Sequence, residues 1–158
     1  MEGHKKVAVF CILQCDNQFL LLERNKEPNP GKLVPVGGKL DPYETPLNAV
    51  IRETKEETGI DIISPQFCGM LTETSPSPYN WVSYIYLARI NYLPAPWCDE
   101  GTLHWINILD LETLNTPATD FHIYKYVAAG EKFMFDAVFD ADLNMVSMYE
   151  ELKGLQIR

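Results

Sequence analysis

The sequence predicts an α/β (α+β) fold in which a mixed central sheet is packed against two or three helices. Segments with strand character outnumber the single strongly amphipathic helix, and strands and helices alternate irregularly along the chain. This order favours a layered arrangement over a doubly wound parallel sheet. The chain has 158 residues, of which 46% are hydrophobic and 22% charged. That size suits one domain with its own core, so we expect a single domain over residues 1–158.

The first part of the chain predicts a hairpin and a further short strand. Three segments rich in β-branched and apolar residues have strand character: 7–14, 19–24 and 32–36. A polar turn separates the first two, so they should pair as a hairpin. A loop at 26–31 with two prolines precedes the third, which should end at Gly37 and Gly38.

The clearest helix is predicted over residues 45–58. Pro46 suits its first turn, and Gly59 is placed to end it. Apolar or β-branched residues recur with helical spacing and mark the face that should be buried: Leu47, Val50, Ile51 and Thr54.

The rest of the chain predicts more strands and two shorter helices. Strands are expected at 60–74, 81–92 (a central strand), 103–108, 133–139 and 145–150, with the last two forming a hairpin. A break is expected at 75–78. The helices are expected at 109–114 and from an N-cap at Thr119 or Asp120 to Ala129.

Composition excludes several classes of function. The formal net charge is −9, which argues against a nucleic acid polymer as partner because phosphate contacts need clustered Lys and Arg. A small phosphate ligand remains compatible, since a bound divalent metal inverts the local field. No apolar run is long enough to span a membrane. The four cysteines form no metal-binding pair and suggest buried free thiols, as expected for a cytoplasmic protein.

The most informative stretch is Gly38–Ile60, which combines a glycine pair with a run of glutamates. Glu53, Glu56 and Glu57 project from one side of the predicted helix, where like charges repel one another. Hard divalent cations such as Mg²⁺ take oxygen ligands, and several carboxylates on adjacent turns supply them. For an E-x-x-E-E pattern alone, a solvated charged helix face is the more common interpretation.

The complete pattern is much stricter than those glutamates alone. Eight residues stand at fixed offsets: Gly38, Glu44, Arg52, Glu53, Glu56, Glu57, Gly59 and Ile60. The segment resembles the Nudix box, G-x₅-E-x₇-R-E-U-x-E-E-x-G-U, where U is a bulky aliphatic residue. Thr54 departs from the pattern at the first U position. We expect its methyl group to pack on the buried face and its hydroxyl to bond back to the helix.

This resemblance implies a Nudix-type α/β/α sandwich and the hydrolysis of a nucleoside diphosphate linked to another moiety, with Mg²⁺ or Mn²⁺. It implies metal ligation by Glu53, Glu56 and Glu57, joined by the Gly38 carbonyl. Arg52 would position a glutamate, and Glu44 would support Arg52 or the metal. One of the box glutamates or a loop carboxylate would be the general base.

Four residues outside these positions are further candidates. Glu100 would add a carboxylate to the metal site, and Arg24 and Lys39 would contact phosphates. Asp120 would bond to a purine edge. Each also has an ordinary interpretation, as a solvated acid, a surface base or a helix cap.

The chain most resembles the MutT-like hydrolases of oxidised purine nucleoside triphosphates such as 8-oxo-dGTP. Some of those proteins have an Asn shortly before the glycine pair, where this chain has Val34. Pro76 is a weak marker of a rival, an ADP-ribose or nucleotide-sugar pyrophosphatase. A non-catalytic nucleotide sensor is a third hypothesis. Both a monomer and a homodimer are compatible with the sequence.

Overall fold

The computed structural model describes residues 2–158, and its strands within that range form one mixed sheet. The strands are β1 (Lys6–Cys15), β2 (Gln18–Arg24), β3 (Leu33–Val34), β4 (Val36–Lys39), β5 (Gln66–Thr74), β6 (Trp81–Arg89), β7 (Trp97–Cys98), β8 (Gly101–Asn107), β9 (Phe133–Phe139), β10 (Met145–Glu150) and β11 (Leu155–Gln156). The helices are α1 (Pro46–Thr58), α2 (Ala118–Ala128) and a 3₁₀ helix (Ile108–Thr113).

Most of the sheet lies along one path, in the order β11-β10-β9-β5-β6-β1-β2-β8-β7. The β1–β6 and β5–β9 pairs are parallel and the other pairs are antiparallel. β1 pairs with β6 along one edge, and on its other edge with β4 and then with β2. The predicted mixed sheet, the two hairpins and the central position of β6 are therefore confirmed.

The sheet is covered on both faces. On the α1 face the core includes Val9, Cys11 and Val50, and on the α2 face it includes Ile12 and Tyr124. A strand buried on both sides has a nearly continuous apolar sequence, which β1 shows. Full burial of each large aliphatic side chain stabilises the fold by about 1.5–3 kcal/mol.

Helix α1 begins and ends as its sequence indicates. The Thr45 hydroxyl accepts a hydrogen bond from the Asn48 N–H at 3.2 Å, and Pro46 occupies the first turn. Gly59 ends the helix in the left-handed conformation, with φ of 74°, and its N–H donates to the Lys55 carbonyl at 2.8 Å.

The predicted buried face of α1 is wrong in part. Leu47 and Ile51 are exposed, whereas the buried residues are Ala49, Val50, Thr54 and Thr58. The helix is rotated so that Glu53 and Glu57 point at the glycines of β4, and this rotation carries Ile51 towards solvent.

The prediction that a strand ends at Gly37 and Gly38 is wrong. Both residues lie inside β4 and pair with β1. Neither has a positive φ, so glycine is required there for space. A Cβ on Gly37 would lie 2.0 Å from the Val9 carbonyl oxygen. Val34 belongs to the buried core on the α1 face.

Other boundaries also differ from the predictions. β5 begins only at Gln66, after Pro65, which removes a backbone donor. β6 ends at Arg89, and the segment 108–113 is a 3₁₀ helix. The N-cap of α2 is Pro117, which provides no side-chain cap bond. Thr119 and Asp120 lie in the first turn, so the prediction that one of them caps the helix is wrong.

Two expectations drawn from composition, on membrane spans and on the cysteines, can be compared with the structure. None of the helices in residues 2–158 has the length and apolar character needed to cross a membrane. The four cysteines are free thiols, with Cys11, Cys68 and Cys98 buried and Cys15 partly accessible.

Candidate active site

Glu53 of α1 lies directly against Gly38 of β4. A Cβ on Gly38 would lie 2.4 Å from the Glu53 carboxyl carbon. Only glycine therefore lets the Glu53 carboxylate rest against the β4 backbone. The sequence pattern thus reflects a packing requirement that links these two positions.

Arg52 connects three of the box glutamates. Its Nε and Nη2 donate to the two oxygens of Glu44 at 2.7 and 2.9 Å, a bidentate pair. Its Nη1 donates to Glu53 Oε1 at 2.9 Å and to Glu56 at 3.3 Å. Its Nη2 also reaches the Lys39 carbonyl at 3.1 Å. The hydrogen bonds from Arg52, with one from the Asp41 N–H, lower the pKa of Glu44 to about 2.

Glu57 lies deeper, and its Oε2 accepts a hydrogen bond from the Gly37 N–H at 3.1 Å. Burial raises the pKa of Glu57 to about 8 in spite of this bond, and the nearby charges of Glu100 and Glu53 add to the effect. Burial also raises the pKa of Glu53, while Arg52 opposes the change. The pocket therefore brings together more acidic side chains than Arg52 alone can pair, and without a metal the Glu57 carboxyl retains its proton at neutral pH.

Glu100 comes from the turn between β7 and β8 and joins this group, since its charge acts on both Glu53 and Glu57. Arg24 Nη1 lies 3.6 Å from Glu100 Oε2. The other Arg24 nitrogens donate to loop carbonyls, including Pro28 at 2.8 Å and Glu27 at 3.1 Å. Arg24 therefore holds the loop beside Glu100, and its guanidinium is largely occupied by these contacts.

The remaining predicted residues lie apart from the glutamates. The Lys39 ammonium lies 5.8 Å from the centre of the Trp81 ring. Asp120 lies on the opposite face of the sheet, on α2, where burial and the charge of Glu73 raise its pKa to about 7.

Glu73 is a residue that the sequence analysis did not single out. It follows Leu71 by two positions on β5, so both side chains point to the α2 face. Glu73 is only 7% exposed. An acid at an inward-facing strand position was the signal that could have identified it.

Within residues 2–158 no three His, Cys, Asp or Glu side chains are already arranged as a metal-binding cluster. Glu53 and Glu56 instead bind Arg52. The donor set nevertheless suits a hard divalent cation, because it is made of carboxyl oxygens, which such cations prefer as ligands. The glycine backbone beside it leaves no side chain in the way.

Comparison with known proteins identifies the family. The sequence profile of the NUDIX domain matches residues 4–128. An uncharacterized Nudix hydrolase of Bacillus subtilis (strain 168), YvcI, is 32% identical over 126 residues, which are 77% of this chain and 78% of that protein.

Two further relatives are similar in part of the sequence or in fold. The ADP-ribose pyrophosphatase of Methanocaldococcus jannaschii is 44% identical over 57 residues, 36% of this chain and 34% of that one. The crystal structure of a MutT mutator protein from Bacillus halodurans superposes with a TM-score of 0.80 at 24% identity, covering 93% of this chain and 98% of the other. The profile match, the YvcI relationship and the shared fold together establish that the chain belongs to the Nudix family, as a pyrophosphohydrolase with a MutT-like fold.

Proposed function

We propose that this Nudix hydrolase cleaves a nucleoside triphosphate to the monophosphate and diphosphate in a Mg²⁺-dependent reaction, with Mn²⁺ as a substitute. A purine nucleotide, including an oxidised one, is the proposed substrate. The observation that carries the proposal is the concentration of carboxylates against the glycines of β4, where Glu53 and Glu57 both have a raised pKa. Such a site attracts a divalent cation together with a phosphate ligand.

The proposed metal ligands are Glu53, Glu56 and Glu57, with the Gly38 carbonyl and with Glu100 from the β7–β8 turn. For Glu53 and Glu56, ligation requires the exchange of a contact with Arg52. When bound, the metal supplies charge stabilisation at the diphosphate and a more acidic water.

The protein side chains have separate proposed tasks around that metal. Arg52 positions Glu53 and Glu56, and Glu44 fixes Arg52 through the bidentate pair. One carboxylate among Glu53, Glu56, Glu57 and Glu100 accepts the proton of the attacking water. Glu57 is suited to this task because the Gly37 N–H fixes its Oε2. Lys39 and Arg24 are proposed to contact the phosphates, which for Arg24 requires the exchange of its contact with Glu100.

An ADP-ribose or nucleotide-sugar pyrophosphatase is the second candidate. The similarity to the M. jannaschii ADP-ribose pyrophosphatase favours it, and Pro76 lies in the turn between β5 and β6. A non-catalytic nucleotide sensor is the weaker alternative, because every charged residue of the box is present in this chain.

The proposed setting follows from the same observations. The ligand is a small nucleotide rather than a nucleic acid polymer or a membrane, and the protein acts as a monomer or homodimer. Four free thiols support a cytoplasmic location.

A hydrolysis screen tests the proposal. It compares canonical and oxidised dNTPs, ADP-ribose, dinucleoside polyphosphates, NADH and nucleotide sugars, each with Mg²⁺, Mn²⁺ or a chelator. We expect metal-dependent release of diphosphate from a purine nucleoside triphosphate. Preferential cleavage of ADP-ribose would replace the proposal with its second candidate, and absence of turnover on every compound would favour the sensor.

A further inference from the structure

The turn between β7 and β8 carries Glu100 and belongs to a part of the fold separate from α1. Cys98 of β7 pairs with Gly101 of β8, so only Asp99 and Glu100 lie between the two strands. β8 in turn pairs along its whole length with β2. The other proposed metal ligands lie on α1 and β4. The position of Glu100 therefore depends on how this turn is held.

On one side, the turn is anchored next to α1. Cys98 is buried and belongs to the α1-side core together with Ala49 and Val50 of the helix. Glu100 follows Cys98 by only two positions. This contact fixes the face of the sheet on which the turn lies, but it does not fix the distance between the turn and β2.

Three consecutive residues at the end of β2 hold the turn from the other side. Arg24 Nη1 lies 3.6 Å from Glu100 Oε2. The Asn25 N–H donates to the Glu100 carbonyl at 3.0 Å, and Lys26 Nζ lies 3.4 Å from Asp99 Oδ2. The Lys26–Asp99 pair is exposed, and exposed ion pairs contribute little to stability. The backbone bond from Asn25 is therefore the important contact, and it requires the two backbones to lie close together.

Gly101 makes this close approach possible. A Cβ at Gly101 would lie 2.0 Å from the Glu23 carbonyl oxygen, 2.9 Å from the Glu23 carbonyl carbon and 3.1 Å from Arg24 Cα. All three atoms belong to the backbone of β2, so none of them can move aside as the end of a flexible side chain could. A side chain at position 101 would therefore separate the turn from β2, next to the bond between Asn25 and Glu100.

We propose that Gly101 is a positioning residue of the metal site, because its close packing on Glu23 determines where the Glu100 carboxylate meets the glutamates of α1. Gly101 itself contacts neither metal nor substrate and acts through Glu100. Metal–ligand distances tolerate deviations of only about 0.2 Å, so a small displacement of the turn is enough to remove Glu100 from the site. The inference rests on the proposed function in that Glu100 is a metal ligand.

The test measures Mn²⁺ binding without nucleotide, so that it does not depend on turnover. Free Mn²⁺ is followed by electron paramagnetic resonance for the wild type, Gly101→Ala, Glu100→Gln and the double variant. We expect each single substitution to weaken Mn²⁺ binding about tenfold. The double variant should bind Mn²⁺ within about twofold of Glu100→Gln alone, because substitutions that act through the same group are not additive.

Gly69→Ala is the matched control. A Cβ at Gly69 would lie 2.5 Å from the Phe133 carbonyl oxygen, so this substitution also strains a contact between two strands. It does so between β5 and β9, which carry none of the proposed ligands. Gly69→Ala should lower the urea midpoint and leave Mn²⁺ affinity unchanged.

A second variant covers the case in which Gly101→Ala does not fold by circular dichroism. Asn25→Pro removes the N–H that donates to the Glu100 carbonyl. Arg24 lies in β2, and an extended residue is the one that proline prefers before it. Asn25→Pro should also weaken Mn²⁺ binding about tenfold, and it should add nothing to Glu100→Gln.

Each outcome decides between the proposals. Wild-type Mn²⁺ affinity in folded Gly101→Ala overturns the inference, as does a double variant in which the two losses multiply, and the proposed reaction survives both results. Equal losses in Gly69→Ala and Gly101→Ala would assign the effect to fold stability and also overturn it. The expected coupling without hydrolysis of any compound in the screen supports the inference and rejects the reaction. A wild type that binds no Mn²⁺ rejects the inference together with the proposed metal site.

Discussion

Two acidic clusters lie on opposite faces of one sheet, and they differ in the groups that bind their carboxylates. On the α1 face, Arg52 and the Gly37 N–H bind the carboxylates, through contacts that a metal can replace. On the α2 face, the hydroxyls of Tyr79 and Thr119 bind Glu73 and Asp120. Carboxylates held by a cation and by backbone donors are suited to metal chemistry, whereas carboxylates held by hydroxyls are suited to hydrogen-bond recognition.

The largest expected effect is at Glu57. Glu57→Gln retains an oxygen for the Gly37 N–H but removes the charge, so kcat/KM with Mg²⁺ should fall on the order of a thousandfold. Steady-state hydrolysis of the substrate identified by the screen measures this. Glu112→Gln, at an exposed acid of the 3₁₀ helix, should behave as wild type. Wild-type turnover in Glu57→Gln would remove the proposed site from the α1 face.

A smaller loss is expected at Arg52. Arg52→Lys retains the charge but cannot form the bidentate pair with Glu44. Supporting groups of this kind typically contribute about 10–100-fold to metal affinity or activity, so kcat/KM and the affinity for Mn²⁺ should both fall by that order. Lys55→Ala, on the same helix and bonded to Asp61, is the control. Equal effects of both variants would show that Arg52 acts only on helix stability.

The contrast between the clusters also explains what the sequence predicts well. The box residues stand at fixed offsets on one helix, so local geometry determines their relation, and α1 has the predicted ends. Glu73 and Asp120 are 47 positions apart in the numbering, and only the pairing of β5 with β9 and the packing of α2 bring them together. Long-range contacts of this kind leave no periodic signal in one sequence.

The errors within α1 have a related cause. Helical spacing marks Ile51 as inward-facing, but in the structure Val50 and Thr54 are buried and the Glu53 carboxylate faces Gly38. Likewise, the glycine pair looks like a turn, whereas close packing of Gly37 against β1 explains it. In both places a tertiary contact decides between two locally acceptable structures.

The titration of Glu73 on the α2 face should contribute to the pH dependence of stability. The pKa of Glu73 is raised from 4.5 to about 7 in the folded protein, so the folded state binds more protons than the unfolded state between those values. The corresponding stability is complete below about pH 4.5 and is lost as the pH rises through about 7. The slope is at most about 1.4 kcal/mol per pH unit for each proton.

Glu73→Gln removes one such group, so its metal-free stability should fall less steeply than that of the wild type between pH 5 and 7. Urea unfolding in a chelator, at several pH values, measures the difference. Glu112→Gln should leave the wild-type slope unchanged. Parallel curves for Glu73→Gln and the wild type would mean that the carboxylate titrates normally in the folded protein.

The smallest expected effect concerns the contact between α1 and the sheet, on which the first cluster depends. The Thr54 hydroxyl was expected to bond back to the helix, but it is fully buried and has no hydrogen-bond partner of normal geometry among residues 2–158. Thr58, one turn later, is satisfied: its hydroxyl donates to the Thr54 carbonyl at 2.6 Å and accepts from the Ile60 N–H at 3.1 Å. Two neighbouring buried threonines therefore differ in whether the hydroxyl is paired.

Replacement by Val should have opposite effects at these two positions. Thr54→Val removes an unpaired hydroxyl while preserving the β-branched shape, so the free energy of unfolding should rise by about 1 kcal/mol. Thr58→Val leaves the Ile60 N–H without its acceptor, so the free energy of unfolding should fall by about 1 kcal/mol. Urea midpoints at constant m-value measure both changes. Thr54→Val should keep wild-type turnover, because the glutamates lie on a different part of the helix surface. A destabilised Thr54→Val would mean that the hydroxyl is bonded in solution, with the buried Cys11 thiol as its partner.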